Sequence, residues 1–186
     1  MKKIVYGIFV CLIFISSICV PFRIFAQATI NADELKAQMI KDWERAKAYT
    51  LSYLSTMPAD KYSFKATDSI RSFAQQMLHL AQANVNLSAN GTGEPRIFQG
   101  QNLEASASAQ THDSVVYYVT RSYDYVIDGI KHLDAARLGE PSKPGPNQLN
   151  RLTWLNKTFE HQTHHRGQTT IYIRLAGYRP PNERLF

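Results

Sequence analysis

Cysteine is missing from nearly the whole chain. Only Cys11 and Cys19 occur among 186 residues. Beyond them the sequence can build no disulfide, offers no thiol nucleophile and supplies no thiolate ligand. Any metal must therefore be held by histidine, carboxylate or water. Structure breakers are also sparse, with 8 prolines and 9 glycines. No run alternates apolar and polar residues for long, so helices are favoured over strands. A composition of 44% hydrophobic and 19% charged residues excludes a disordered chain. The length fits one domain.

The first residues do not read as part of a fold. Lys2 and Lys3 precede the run IVYGIFVCLIFISSICV (4–20), which Pro21 ends, and Ala26-Gln27-Ala28 follows. A short positive stretch, an apolar run and small residues at the cleavage position form a secretory signal peptide. The expected division is a signal peptide over 1–28, cleaved after Ala26 or Ala28, and a domain over 29–186. The alternative is a retained N-terminal membrane anchor, because a run of this length lies at the lower edge of about 17–25 residues that span a bilayer. Cys19 follows Ile18 rather than a small residue, which argues against a lipoprotein signal. Cleavage would export the protein to the periplasm or beyond the cell. It would also remove Lys2, Lys3 and Arg23 and no acid, so that a net charge of +6 becomes +3. That is too mild to expect nucleic acid or an anionic membrane surface as a partner.

Four helices are expected in the remainder. The first covers about 32–54, with Asn31 as N-cap, Glu34 completing a capping-box pattern, and the stripe Leu35, Met39, Trp43, Ala46, Thr50. Residues 57–67 form a linker whose aromatics pack over the bundle end. A second helix starts near Thr67 or Asp68, carries Ile70, Phe73, Met77, Leu80, Asn84 and Leu87, and stops at Asn90-Gly91. The connection over 91–105 is long enough to cross a bundle end, so neighbouring helices need not alternate in direction. A third helix over about 107–137 buries Val115, Val119, Ser122, Val126, Ile130 and Leu133. A fourth covers about 150–175 and ends before Gly177 and Pro180-Pro181. Four helices with one apolar stripe each make an all-α four-helix bundle.

The fourth helix contains HQTHHRGQ (161–168). One residue advances an α-helix by about 100°, so His161 and His165 lie about 40° apart and His164 about 60° from His161 on the other side. Either pairing reaches one ion. The four-three stripe through His161 and His165 passes Trp154, Thr158, Gln168, Tyr172 and Leu175. The stripe through His164 passes Lys157, Glu160, Gly167, Ile171 and Arg174, which is charged and faces outward. His161 and His165 therefore face the interior, and two imidazoles one turn apart suit a metal. His112 and His132 have no spaced partner and read as solvated; Arg166 and Arg174 read as surface charges or anchors for the chain end.

Two long segments carry a resemblance. HHRGQTTIYIRLAGYRPP (164–181) and YSFKATDSIRSFAQQMLHLAQAN (62–84), with Met57-Pro58 and Ser122-Tyr123-Asp124, resemble the DinB/YfiT-like family over about 32–181. The resemblance implies a four-helix bundle in which a histidine of the second helix joins the pair of the last. The implied metal ligands are His79, His161 and His165. His79 enters through the resemblance, since its own face holds Ser72, Gln75, Gln76, Ala83 and Asn86, a polar set. Known relatives include transferases and isomerases that use low-molecular-weight thiols.

Three neutral imidazoles and a water leave an open coordination position, the arrangement of a hydrolytic or transfer centre. Imidazole does not choose among divalent ions, so zinc, nickel or iron is expected. For acid–base or water-orienting roles the candidates are Asp124 and Gln168; Glu160 points about 100° away from His161. Two functions follow: a metal-dependent hydrolase or transferase of a small molecule, or a non-catalytic bundle whose metal is structural. The sequence leaves room for a homodimer.

Overall fold

The computed structural model describes residues 31–142 and 148–186. The expected signal peptide lies outside the described residues. The architecture is all-α, with four long helices: α1 Ala32–Thr56, α2 Phe73–Thr92, α3 His112–His132 and α4 Arg151–Leu175. Single 3-10 turns at Ala59–Lys61, Ala107–Gln110 and Ala135–Arg137 punctuate the connections.

Each start follows from local chemistry. Asn31 caps α1 by accepting the Asp33 N–H, Thr111 caps α3 by accepting that of Ser114, and Asn150 caps α4 by accepting that of Thr153. The reciprocal capping box is found on α2 rather than α1: Ser72 accepts the Gln75 N–H while the Gln75 side chain accepts the Ser72 N–H. This box corrects the expected start of the second helix from Thr67 or Asp68 to Phe73. Ile70 consequently lies outside the helix and is 38% exposed. The linker fastens the new start, since the N–H groups of Phe73 and Ala74 donate to the carbonyls of Phe64 and Tyr62. Tyr62 closes the bundle end as expected: its ring is buried edge-on to Phe73 and its hydroxyl donates to the Leu54 carbonyl.

Two ends also differ from expectation. α2 runs through Asn90-Gly91 to Thr92 and stops at Gly93, whose φ of 84° lets its N–H reach the Ala89 carbonyl. The third helix is shorter than 107–137. Leu133 turns extended, and the Asp134 side chain then accepts the Ala136 N–H to start a separate 3-10 turn.

The contacts fix the topology. Gly91 approaches Leu155 and the Tyr172 hydroxyl donates to the Arg71 carbonyl, so α2 and α4 are antiparallel. Asn84 pairs with Ser122 and Gly129 approaches Thr92, so α2 and α3 are parallel, as the long crossover permits. Lys36 donates to the Leu133 carbonyl and Thr50 meets Tyr123, which makes α1 antiparallel to α3. Trp43 and Phe159, then Tyr53 and Thr170, place α1 parallel to α4. The core fills this frame with Trp43, Leu54, Phe73, Met77, Leu80, Ile130, Leu155 and Ile173, and the stripe expected for α3 is buried throughout.

α4 departs from a simple amphipathic helix. Its buried line is Leu155, Thr158, Gln162, His165, Arg166, Thr169, Tyr172 and Ile173. The expected stripe is therefore rotated: Gln168 and Leu175 are exposed, and Gln162 and Thr169 face inward. Arg166 is not a surface charge, being only 7% exposed. It donates to the Gln162 side-chain oxygen at 2.8 Å and lies 4.6 Å over the Tyr49 ring. The Tyr123 hydroxyl donates to the same oxygen. Hydrogen bonds and the aromatic face together offset the cost of burying this cation.

The closest helix approach yields a paired test. A methyl at position 91 would lie 2.8 Å from Leu155 Cγ and 3.0 Å from the Arg151 carbonyl oxygen, whereas nothing lies within 4 Å of one at position 167. Gly91→Ala should lower stability to urea unfolding by about 1–2 kcal/mol despite its better helix propensity. Gly167→Ala should raise it by roughly 0.5–1 kcal/mol. Equal effects would contradict the close packing of α2 on α4.

Candidate metal centre

Antiparallel packing sets the first half of α2 beside the middle of α4, and this brings His79 to His161 and His165. The ring centroids are 4.5 Å apart for His79–His165, 5.3 Å for His79–His161 and 4.3 Å for His161–His165. One nitrogen from each ring falls within 4.8 Å of the others. The Nε2 atoms of His161 and His165 are 3.1 Å apart, close to the roughly 3.4 Å between two nitrogens of a tetrahedral site. His161 Nδ1 is buried without a partner. Among the described residues no fourth His, Cys, Asp or Glu joins the group. The donor set fits a divalent ion held by three neutral imidazoles.

A second ring of side chains orients the first. Glu104 Oε1 lies 2.6 Å from His79 Nδ1, and Arg71 Nε donates to Glu104 Oε2, also at 2.6 Å. Gln76 Nε2 donates to His165 Nδ1 at 2.8 Å and also contacts Gln168. Gln168 in turn reaches His164 Nε2 at 3.0 Å. With Nδ1 of His165 accepting, its Nε2 carries the proton toward His161. An ion would displace that proton, and a turned Gln76 amide would then accept from Nδ1.

Electrostatics favour the neutral form of the two α4 imidazoles. Burial, then the neighbouring charges of His161, His79, His164 and Arg71, push His165 from 6.5 to about 3. Burial, then His79, His164 and Arg71, also lowers His161. For Glu104, burial acts upward, but hydrogen bonds from Arg71 and His79 prevail and hold the carboxyl below its ordinary value. Glu104 is thus an anion that accepts.

The remaining candidates separate clearly. His164 is exposed on the flank, as its stripe implied. Gln168 sits at the rim of the cluster. Asp124 lies on α3, where Lys47 of α1 holds it at 2.5 Å. Glu160 is exposed and bonded to Lys157. His112 pairs with Asp113, and His132 lies 3.5 Å from Glu94. Glu104, Arg71 and Gln76 were not anticipated. Glu104 sits in an aperiodic connection; Gln76 shares the polar face of His79, and that was the available signal. Arg71, Gln76, Glu104 and Gln168 also border a cavity of about 710 Å³ whose apolar wall includes Ile70 and Ile171.

An all-α four-helix protein with a three-histidine cluster between its second and fourth helices is thereby defined. The sequence model of the DinB family matches residues 29–184, and the chain belongs to the DinB family. Two solved structures share the fold. One is a DinB-like protein from Bacillus cereus, with a TM-score of 0.68 at 16% identity, covering 80% of this chain and 97% of that one. The other is a DinB-like protein from Bacillus subtilis, with a TM-score of 0.57 at 17% identity, covering 80% and 96%. No curated protein matches this sequence.

Two outcomes are expected of the cluster. His161→Ala or His165→Ala should abolish stoichiometric metal binding, measured by elemental analysis after dialysis, while His164→Ala should keep most of it. Equal loss from all three would contradict the separation of faces. Without metal, the buried neutral rings should make stability depend on pH. A histidine held below its unfolded value takes up a proton on unfolding, so its contribution is full above 6.5 and is lost as pH falls toward about 3. Urea unfolding of chelator-treated protein should show this decline, and His165→Gln should flatten it. An unchanged slope in the variant would contradict the assignment.

Proposed function

We propose that this protein is a metal-dependent enzyme, a hydrolase or transferase of a small molecule. One observation carries the reading: three imidazoles converge, and no fourth acidic, histidine or cysteine ligand joins them among the described residues. That leaves a coordination position for water or substrate, as in catalytic rather than closed structural sites. Zinc, nickel or iron would suit the donors. Such an ion polarises a substrate oxygen or brings the pKa of its bound water to about 7.

The chain's own groups have distinct tasks in this reading. Glu104 keeps the proton of His79 on Nδ1, and Gln76 orients His165. Gln168 lies one turn beyond His165 beside the cavity, where it can orient a water or a substrate oxygen. Asp124 would have to leave Lys47 before acting as a base. The cavity begins at these outer partners and is large enough for a small ligand. The signal-peptide pattern supports export, which would remove the protein from cytosolic thiols and favour hydrolysis over thiol transfer.

The alternative is a structural metal that pins α2 to α4. The close seat of Gly91 on Leu155 already joins these helices, which favours the catalytic reading. Protein purified from its own compartment should contain about one zinc, nickel or iron ion per chain. A broad hydrolase screen should find turnover that chelation removes, that one of these ions restores, and that folded His161→Ala lacks. A tightly held ion with no exchangeable position, or turnover indifferent to chelator, would contradict the proposal.

A further inference from the structure

We infer that Glu104 is a positioning residue for the metal centre, and that through it metal occupancy is coupled to the anchoring of the crossover between α2 and α3. The inference rests on the metal-centre reading above and concerns a residue outside the histidine set.

His79 is the ligand that most needs help. Its side chain is 27% exposed on the polar face of α2, and its ring meets those of His161 and His165, which do not by themselves fix its tautomer. Glu104 does. An ionised carboxylate only accepts hydrogen bonds, so the 2.6 Å contact with Oε1 puts a proton on Nδ1; Arg71 Nη2, at 3.3 Å from the same nitrogen, is too distant to compete as a donor to it. Nε2 is then the nitrogen that remains to hold a metal. The carboxylate is itself immobilised, because Arg71 Nε occupies its second oxygen at 2.6 Å.

The same residue fastens the crossover. The Glu104 main-chain oxygen accepts from the side chains of Gln110 at 2.7 Å and Gln75 at 3.4 Å. Its neighbour Leu103 is buried, and the Leu103 N–H donates to Gln82 Oε1 at 3.2 Å. The crossover is therefore tied to α2 on both sides of His79, and its one side-chain link to the cluster is Glu104. If this link favours the metal-bound ring, metal must favour the tied crossover by the same factor.

The competing view is that Glu104 merely forms a half-exposed ion pair with Arg71, which would contribute little to anything. Zinc affinity, read by competition with a chromophoric chelator, separates the two. Glu104→Ala should weaken zinc binding by about 10–100-fold. Glu104→Gln keeps an acceptor oxygen without the charge and should lose less. Glu94→Ala removes an acid from the same crossover, beyond reach of the cluster, and should stay within about twofold of the unaltered protein. Zinc should slow amide exchange over residues 101–110 in the unaltered protein and not in Glu104→Ala.

A Glu104→Ala affinity within about twofold of the unaltered protein would overturn the inference, as would equal zinc protection in both. So would losses in Glu94→Ala that match those in Glu104→Ala. Should Glu104→Ala fail to fold, Glu104→Gln with the exchange readout decides: an unchanged affinity and unchanged protection would overturn the coupling. If the unaltered protein binds no zinc, nickel or iron, the metal-centre reading itself fails. If it binds while Glu104 proves irrelevant, only the present inference fails.

Discussion

The antiparallel seat of α2 on α4 is the constraint on which the rest depends. These two helices share the most extensive interface in the bundle, and Gly91 permits their backbones to approach where any side chain would collide with Leu155. Approach at that end sets the register along the whole pair. Position 79 then meets 161 and 165 by geometry, although it lies far from them in sequence. The parallel pairing of α2 with α3, which the long crossover allows, brings Glu104 back over α2 and onto His79. One packing choice thus places both the three histidines and the carboxylate that orients His79.

The interior of α4 shows how a bundle can carry polar chemistry without losing its core. Arg166, Gln162, Thr50 and Tyr123 satisfy one another in a closed network, with Tyr49 stacked on the cation. A buried network of this kind holds α4 to α1 and α3 by directional bonds, which resist rotation better than aliphatic contacts do. One residue earlier on the helix, His165 faces α2 and is held neutral by burial and neighbouring charges. Adjacent residues, about 100° apart on the same turn, therefore serve the core and the site.

Much of this was legible in the sequence, for identifiable reasons. The four helices and the all-α class follow from apolar spacing and from breakers at Gly177 and Pro180. The inward facing of His161 and His165, with His164 on the flank, follows from helical angle together with the charge of the stripe that His164 shares with Lys157, Glu160 and Arg174. His79 required resemblance to a family, because nothing in its own polar face marks it as a ligand. What could not be read is what tertiary contact decides. The start of α2 moved to Phe73 because Ser72 and Gln75 cap each other while the linker ties down the first turn. Arg166 was misjudged because a charged residue is usually solvated, and only the meeting of α1, α3 and α4 supplies its partners. Glu104 stayed hidden because a loop residue has no period, so its place over His79 exists only in the fold.

The central claim is that imidazoles from α2 and α4 hold one divalent ion with a position left open. X-ray absorption at the metal edge of the loaded protein tests it most directly. The account predicts a first shell of three imidazole nitrogens at about 2.0–2.1 Å, with outer-ring scattering from three rings and at least one exchangeable oxygen. A shell with fewer than two imidazoles, or one closed by a fourth protein ligand, would contradict it.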